Sequence, residues 1–193
     1  MKTLALAVVE ADDEPAGRDS TLKAARSGDR AAFDLLMRRH ERLVLGTAYR
    51  LAGNLEDAQD ASQEVFLRLY RNLGKLETGN LAAWLYRVTV NVCHDAKRRR
   101  LSTVPVADAP ELTAAGDPQQ SASETERKAL LLRSLRMLSE KERAALVLRD
   151  LEGLSTAEVA AVLGSSVGTV RSQVSKARLK VRDFVERYSR RRL

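Results

Sequence analysis

The stretch "STAEVAAVLGSSVGTVRSQVSKAR", residues 155 to 178, decides the fold class. Val159, Val162 and Leu163 sit at helical spacing and the series stops at Gly164, a residue suited to the left-handed exit of a helix. A second series, Val167, Val170, Val174 and Ala177, continues into Val181 and Phe184. Two short helices over a tight turn predict a helix-turn-helix, whose second helix is free to enter a DNA major groove. Its outward face carries Thr169, Arg171, Ser172, Lys176 and Arg178. Early positions of such a helix reach base edges, so Thr169, Arg171, Ser172 and Lys176 are the expected sequence readers. Arg178, Lys180 and Arg182 are expected on phosphates. The competing reading is a solvated basic helix in an ordinary helical hairpin.

Charge favours the first reading. The 193 residues include 33 basic and 26 acidic side chains, a net +7. Residues 165 to 193 hold nine basic and two acidic residues, so the excess lies at the C-terminal end and points to a polyanionic partner. Upstream, Ser123 with Glu126, Ser139 with Glu142, and Ser155 with Glu158 each have the spacing of a capping box. With a fourth helix starting near Ser166, the C-terminal block is expected to hold four helices.

Further toward the N-terminus, "LSTVPVADAPELTAAGDPQQSAS", residues 101 to 123, contains three of the four prolines and no periodic apolar residues. It reads as a flexible linker. Before it, Phe33, Leu36, Met37, His40, Leu43, Val44, Thr47 and Leu51 mark one amphipathic helix, ended by Gly53. Asn54 caps a second that closes at Gly74, and a third begins near residue 81 with Leu81, Leu85, Val88 and Val92 on its buried side. No strand pattern or internal repeat is present. The expected fold is all-α: two small helical domains joined by a flexible linker, the C-terminal one containing the helix-turn-helix. The expected boundaries are a flexible extension over 1–18, a first domain over 19–100, the linker over 101–123 and a second domain over 124–193.

The opening "MKTLALAVVEADDEP" is at the lower limit for a signal peptide and far short of the ~20 apolar residues of a membrane span. No other run approaches that length, so a soluble chain without membrane insertion is expected. Cys93 is the single cysteine, which excludes an internal disulfide and fits a cytoplasmic setting. A buried apolar role suits it better than a redox one. His94 and His40 do not complete a zinc site.

A second constellation is "EDAQDASQEVF", residues 56 to 66, where Glu56, Asp60 and Glu64 share one helical face beside Asp57. Metal-dependent catalysis would draw ligands from several helices, and no Glu-x-x-His partner is present, so no enzyme is expected. The face is either merely solvated or a docking surface for a basic helix. In the second case Gln59 and Gln63 would supply hydrogen bonds and Phe66 an apolar anchor. The third helix ends in Lys97, Arg98, Arg99 and Arg100, which suit a helix C-terminus on dipole grounds alone. Lys75, Asn80, Trp84, Tyr86 and Arg87 precede it, a mixture able to stack on and hydrogen-bond unpaired bases, although Trp84 lies nearer the apolar stripe.

Taken together, "LEDAQDASQEVFLRLY", "NLAAWLYRVTVNVCHDAKRRR", the Pro-rich spacer and "LSTAEVAAVLGSSVGTVRSQVSKARLKVR" resemble the extracytoplasmic-function sigma factors of bacterial RNA polymerase, of the sigma-70 family. The resemblance covers about residues 20 to 100 and 124 to 188. The C-terminal motif alone also suits response-regulator output domains or a stand-alone regulator; both blocks in this order are far more specific.

The resemblance implies a factor that binds core RNA polymerase and directs promoter-specific initiation. It places Asp57, Asp60, Gln63, Glu64 and Phe66 at the clamp coiled coil of the polymerase's largest subunit. It gives Asn80, Arg87, Asn91, Arg98 and Arg99 to the −10 element, where capture of an extruded base offsets the cost of unpairing. Thr169, Arg171, Ser172, Lys176 and Arg178 go to the −35 element. No cofactor is implied, and an anti-sigma protein is the implied regulator. The 23-residue linker extends to ~80 Å at most, enough to cross two DNA turns of ~34 to 36 Å each. So flexible a connection cannot fix the two readers, so polymerase must hold them in register and the free chain should bind promoters weakly.

Overall fold

The computed structural model describes residues 15–76, 81–103 and 122–190. Eight α-helices account for almost all of them: α1 (Pro15–Arg26), α2 (Arg30–Ala52), α3 (Leu55–Asn72), α4 (Leu81–Thr103), α5 (Ala122–Arg136), α6 (Glu140–Leu146), α7 (Thr156–Leu163) and α8 (Val167–Arg190). There is no strand among the described residues, so the all-α expectation stands.

Local chemistry sets the helix ends. Asp29 accepts from the backbone N–H groups of Ala31 and Ala32 to start α2, and Gly53, at φ 85°, ends it. Only a residue without a side chain suits Gly53, because a Cβ there would also stand 2.9 Å from Nε of Arg136. Asn54 caps α3 through the N–H of Asp57. The boxes of Ser139 with Glu142 and Ser155 with Glu158 are both formed.

Several boundaries differ from the sequence expectation. α1 begins at Pro15, a favoured first helical position, so residues 15–18 belong to a helix rather than to the extension. α3 gives way at Leu73 to a 3₁₀ turn, Leu73–Lys75, one residue before Gly74 would have closed it. α4 runs at least through Thr103, past the basic run that ends at Arg100. Residues 101–103, assigned to the linker, are therefore helical, as are residues 122–123 in α5. α5 starts at Ala122, which puts Ser123 inside the first turn and not at the cap. The rest of the expected linker and extension lies outside the described residues.

α2, α3 and α4 pack into a bundle with α1 laid against α2, and α6, α7 and α8 form the second unit with α5 against α8. Val44, Val65, Leu69 and Leu85 are fully enclosed in the first, and Leu135, Val147, Leu148, Val159 and Val170 in the second. Each such side chain contributes about 1.5–3 kcal/mol relative to exposure. One apolar cluster runs through both units. Between α6 and α7 the chain forms a π-helical turn, Val147–Leu151, in which the N–H of Glu152 donates to the carbonyl of Val147 at 2.9 Å. The wider turn places Arg149 and Asp150 toward α8 and Glu152 toward α2.

Candidate functional site

The helix-turn-helix is built as its sequence implies. α7 ends at Gly164, φ 59°, and Ser166 accepts from the N–H of Thr169 to open α8. Val170, Val174 and Ala177 are buried, which turns the opposite face outward. Thr169, Arg171, Ser172, Lys176 and Arg178 are all exposed on it. Val167 is 36 % exposed, so the inward series begins one turn later than its spacing suggests. The Thr169 hydroxyl lies 2.8 Å from that of Ser166.

Arg178 is held by two hydrogen bonds to Asp150, at 2.6 and 2.8 Å, and the carboxylate raises its already high pKa. Lys180 donates to both oxygens of Glu142 at 2.8 Å. These two cations, expected on phosphates, already serve internal partners. Beside them an open basin of about 390 Å³ is lined by Arg149, Thr156, Arg171, Ser175, Arg178 and Arg182. Four guanidinium groups around one concavity suit a phosphate chain. Arg149 was invisible to the helical spacing because it belongs to the π turn.

α4 carries Arg87, Asn91, Arg98 and Arg99, all exposed. Arg87, Asn91 and Arg98 fall four and seven residues apart and share one face of the helix. Arg87 donates to the carbonyl of Ala161 on α7 at 2.7 Å, and Arg98 pairs with Asp95 at 3.0 Å. Asn80 lies outside the described residues. Trp84 is partly buried against the core, and Tyr86 is 9 % exposed, so neither forms an open stacking platform.

The exposed ridge of α3 runs through Glu56, Asp60, Gln63, Leu67 and Tyr70. Leu67 and Tyr70 are 50 % and 64 % exposed, with Tyr70 edge-on to Phe33 at 5.3 Å between ring centroids. Phe66 is a correction: it is 8 % exposed and packs in the core, one position around the helix from the surface it was expected to anchor. Asp57 is only half-exposed, with Oδ2 taking 2.6 and 2.8 Å bonds from Asn54 and Arg100, and it ties the start of α3 to the end of α4. Glu64 bonds Arg68 at 2.8 Å. Leu67 and Tyr70 follow Asp60 and Gln63 at spacings of seven, and a helical wheel continued past residue 66 would have found them.

Two family models match this chain, sigma-70 region 2 over residues 36–103 and sigma-70 region 4 over residues 128–181. The exposed ridge and α4 fall in the first, and the helix-turn-helix in the second. The chain belongs to the extracytoplasmic-function sigma factors of the sigma-70 family. It is 38 % identical over 195 residues to the ECF RNA polymerase sigma factor SigE of Mycolicibacterium smegmatis, covering 94 % of this chain and 72 % of that one. SigM of Mycobacterium tuberculosis is 35 % identical, with 84 % and 82 % covered. Among solved structures, CnrH in complex with the cytosolic domain of CnrY matches with a TM-score of 0.66 at 25 % identity, covering 88 % of this sigma factor and 97 % of that chain.

Other titratable groups serve the fold of the sigma factor. Burial pushes the Cys93 thiol up to about 12 and holds His94 below its ordinary value, while Nε2 of His94 has no hydrogen-bond partner. The hydrogen bond from Lys180 holds Glu142 below the usual carboxylate range, and Ser155 does the same for Glu158. No group of three or more His, Cys, Asp or Glu able to hold a metal is present among the described residues. No described helix is long and apolar enough to cross a membrane.

Proposed function

We propose a division of labour for this sigma factor, which directs RNA polymerase to its promoters. The α3 ridge of Asp60, Gln63 and Glu64, continued by Leu67 and Tyr70, docks on the clamp coiled coil of the largest polymerase subunit. Carboxylates meet basic side chains there, and the two exposed apolar residues fill the partner's grooves. Arg87 and Asn91 on α4, with Asn80 before it and Arg98 and Arg99 beyond, hold the opened −10 strand. Thr169, Arg171, Ser172 and Lys176 read the −35 element, and Arg149 joins the arginines around the basin in gripping its backbone. The docking and −10 functions belong to the module of residues 19–100 and the −35 function to that of residues 124–193.

The observation that carries this reading is the presence, in one chain, of an acidic-to-apolar ridge on the first module and an exposed basic reading helix on the second. An anti-sigma protein is the regulator that fits, since CnrH is matched in its complex with CnrY and a sigma factor RpoE of Bartonella quintana in its complex with the anti-sigma factor NepR. The cytoplasm, where polymerase works, is the proposed location. Run-off transcription with purified core polymerase on genomic fragments tests the reading. Discrete transcripts that need this chain are expected; none from any fragment, with an active core enzyme, would contradict it.

A further inference from the structure

The four arginines around the basin beside α8 are not equivalent. Arg149 and Arg171 make no ion pair among the described residues, and Arg182 comes no closer than 3.7 Å to Asp183 and 3.9 Å to Glu186, beyond hydrogen-bonding distance. Arg178 is held in a fork: its Nε donates to Oδ2 of Asp150 at 2.8 Å and its Nη2 to Oδ1 at 2.6 Å. Asp150 and Arg149 are neighbours in the π turn, so one backbone feature supplies a cation to the basin and an anion to another of its cations. Both partners of the fork lie within the second module.

The fork has no second task in the fold. Glu142, which takes two bonds from Lys180, also completes the capping box that starts α6. The Asp150 carboxylate is bonded, among the described residues, to Arg178 alone. A carboxylate bound in this bidentate way occupies the edge of the guanidinium that a phosphate would take, and it cancels the charge. Grip on duplex DNA of any sequence comes from cations that neutralise phosphates and release counterions, and a neutral pair releases none. A phosphate gains Arg178 only by displacing Asp150.

We propose that Asp150 limits the grip of the second module on duplex DNA by withholding Arg178 from phosphates. The free chain is then held less tightly on random sequence and stays available to polymerase. Once polymerase holds a promoter against the basin, its phosphates compete with Asp150 at high effective concentration, and Arg178 joins Arg149 on the backbone. The consequence for polymerase rests on the function proposed above; the withheld grip does not.

The test is fluorescence anisotropy of the full chain, without polymerase, on two dye-labelled duplexes of unrelated random sequence, at salt between about 50 and 200 mM. Asp150→Asn should bind both about fivefold more tightly than the parent, and the slope of log K against log salt should steepen by about 0.9, the mark of one added phosphate contact. Asp150→Ser should behave alike. Removing both partners, Asp150→Asn with Arg178→Gln, should return affinity and slope to those of the parent, because Arg178 is silent there. Binding that is unchanged or weaker in Asp150→Asn and Asp150→Ser would overturn the proposal. So would a gain confined to one of the two sequences, since phosphate contacts carry no base preference. A double variant that binds more weakly than the parent, with a slope shallower by about one contact, would overturn it as well by showing that Arg178 already grips. The expected pattern in a chain that never binds core polymerase would keep the withheld grip and remove the functional reading instead.

Discussion

α4 and α8 are both long helices bearing basic residues, and they present those residues in opposite ways. α8 leaves Arg171, Ser172 and Lys176 exposed over a buried row of Val170, Val174 and Ala177. α4 is built into the bundle: Leu85, Val90, Val92 and Cys93 are buried, and Arg87 is bonded to the neighbouring module. A helix that reads an intact duplex has to protrude, because the major groove is ~12 Å wide and must receive it. A helix half sunk in a core suits a strand that comes to it already unpaired. The same basic chemistry therefore fits two tasks, separated by how far each helix stands out from its core.

That comparison can be broken by substitution. The largest effect is expected at Phe66→Ala, about 3–5 kcal/mol of stability in denaturant unfolding, because the ring is buried. The neighbouring Leu67→Ala should leave unfolding within about 0.5 kcal/mol while weakening association with core polymerase. If the two effects were exchanged, the docking ridge has been drawn on the wrong side of α3. Asp60→Lys with Glu64→Lys should lower polymerase affinity on the order of a hundredfold in a titration, since opposed like charges cost several kcal/mol, and should destabilise the fold by no more than about 1 kcal/mol through loss of the exposed pair of Glu64 with Arg68.

A sharper contrast lies between the two readers. Arg171→Ala should cost about 1 to 3 kcal/mol in discrimination near −35, measured by competition between duplexes. Arg87→Ala should leave that discrimination intact and reduce strand opening, measured by permanganate reactivity of the −10 thymines. The smallest effect concerns acid. Glu142 and Glu158 are held below their ordinary value of 4.5 by Lys180 and Ser155, so the folded state binds fewer protons than the unfolded chain. Their contribution is complete above about pH 4.5 and is lost as the pH falls through the depressed folded values. Melting followed from pH 6 to pH 3 should show that loss, and Lys180→Met should make it shallower.

Caps and a glycine marked the helix ends at Asn54, Ser139, Ser155 and Gly164, whereas the expected cap at Ser123 falls inside α5 and Gly74 comes after α3 has ended. Sequence periodicity failed where a helix had no marked end: α4 passes the basic run at Lys97–Arg100, because positive charge at a helix C-terminus favours the dipole and does not stop the helix. The exposed face of α8 followed from the buried valines, since a helix with one fixed inner face has a determined outer one. Phe66 and Leu67 differ by a single step around α3, and which of them faces out depends on where α2 and α4 lie. The π turn left no mark in the sequence, and with it went Arg149 in the basin and Glu152, whose carboxylate accepts from Arg50 and Tyr86. Contacts between modules pair residues a hundred positions apart, such as Arg50 and Glu152, and no local pattern announces them.

Footprinting of one promoter with and without core polymerase tests the central claim most directly. The division of labour proposed here requires protection of both the −10 and −35 elements, with opening at −10, only when chain and core enzyme are present together; the chain alone should give little protection. Tight protection by the unaided chain, with no detectable binding to core polymerase, would contradict it.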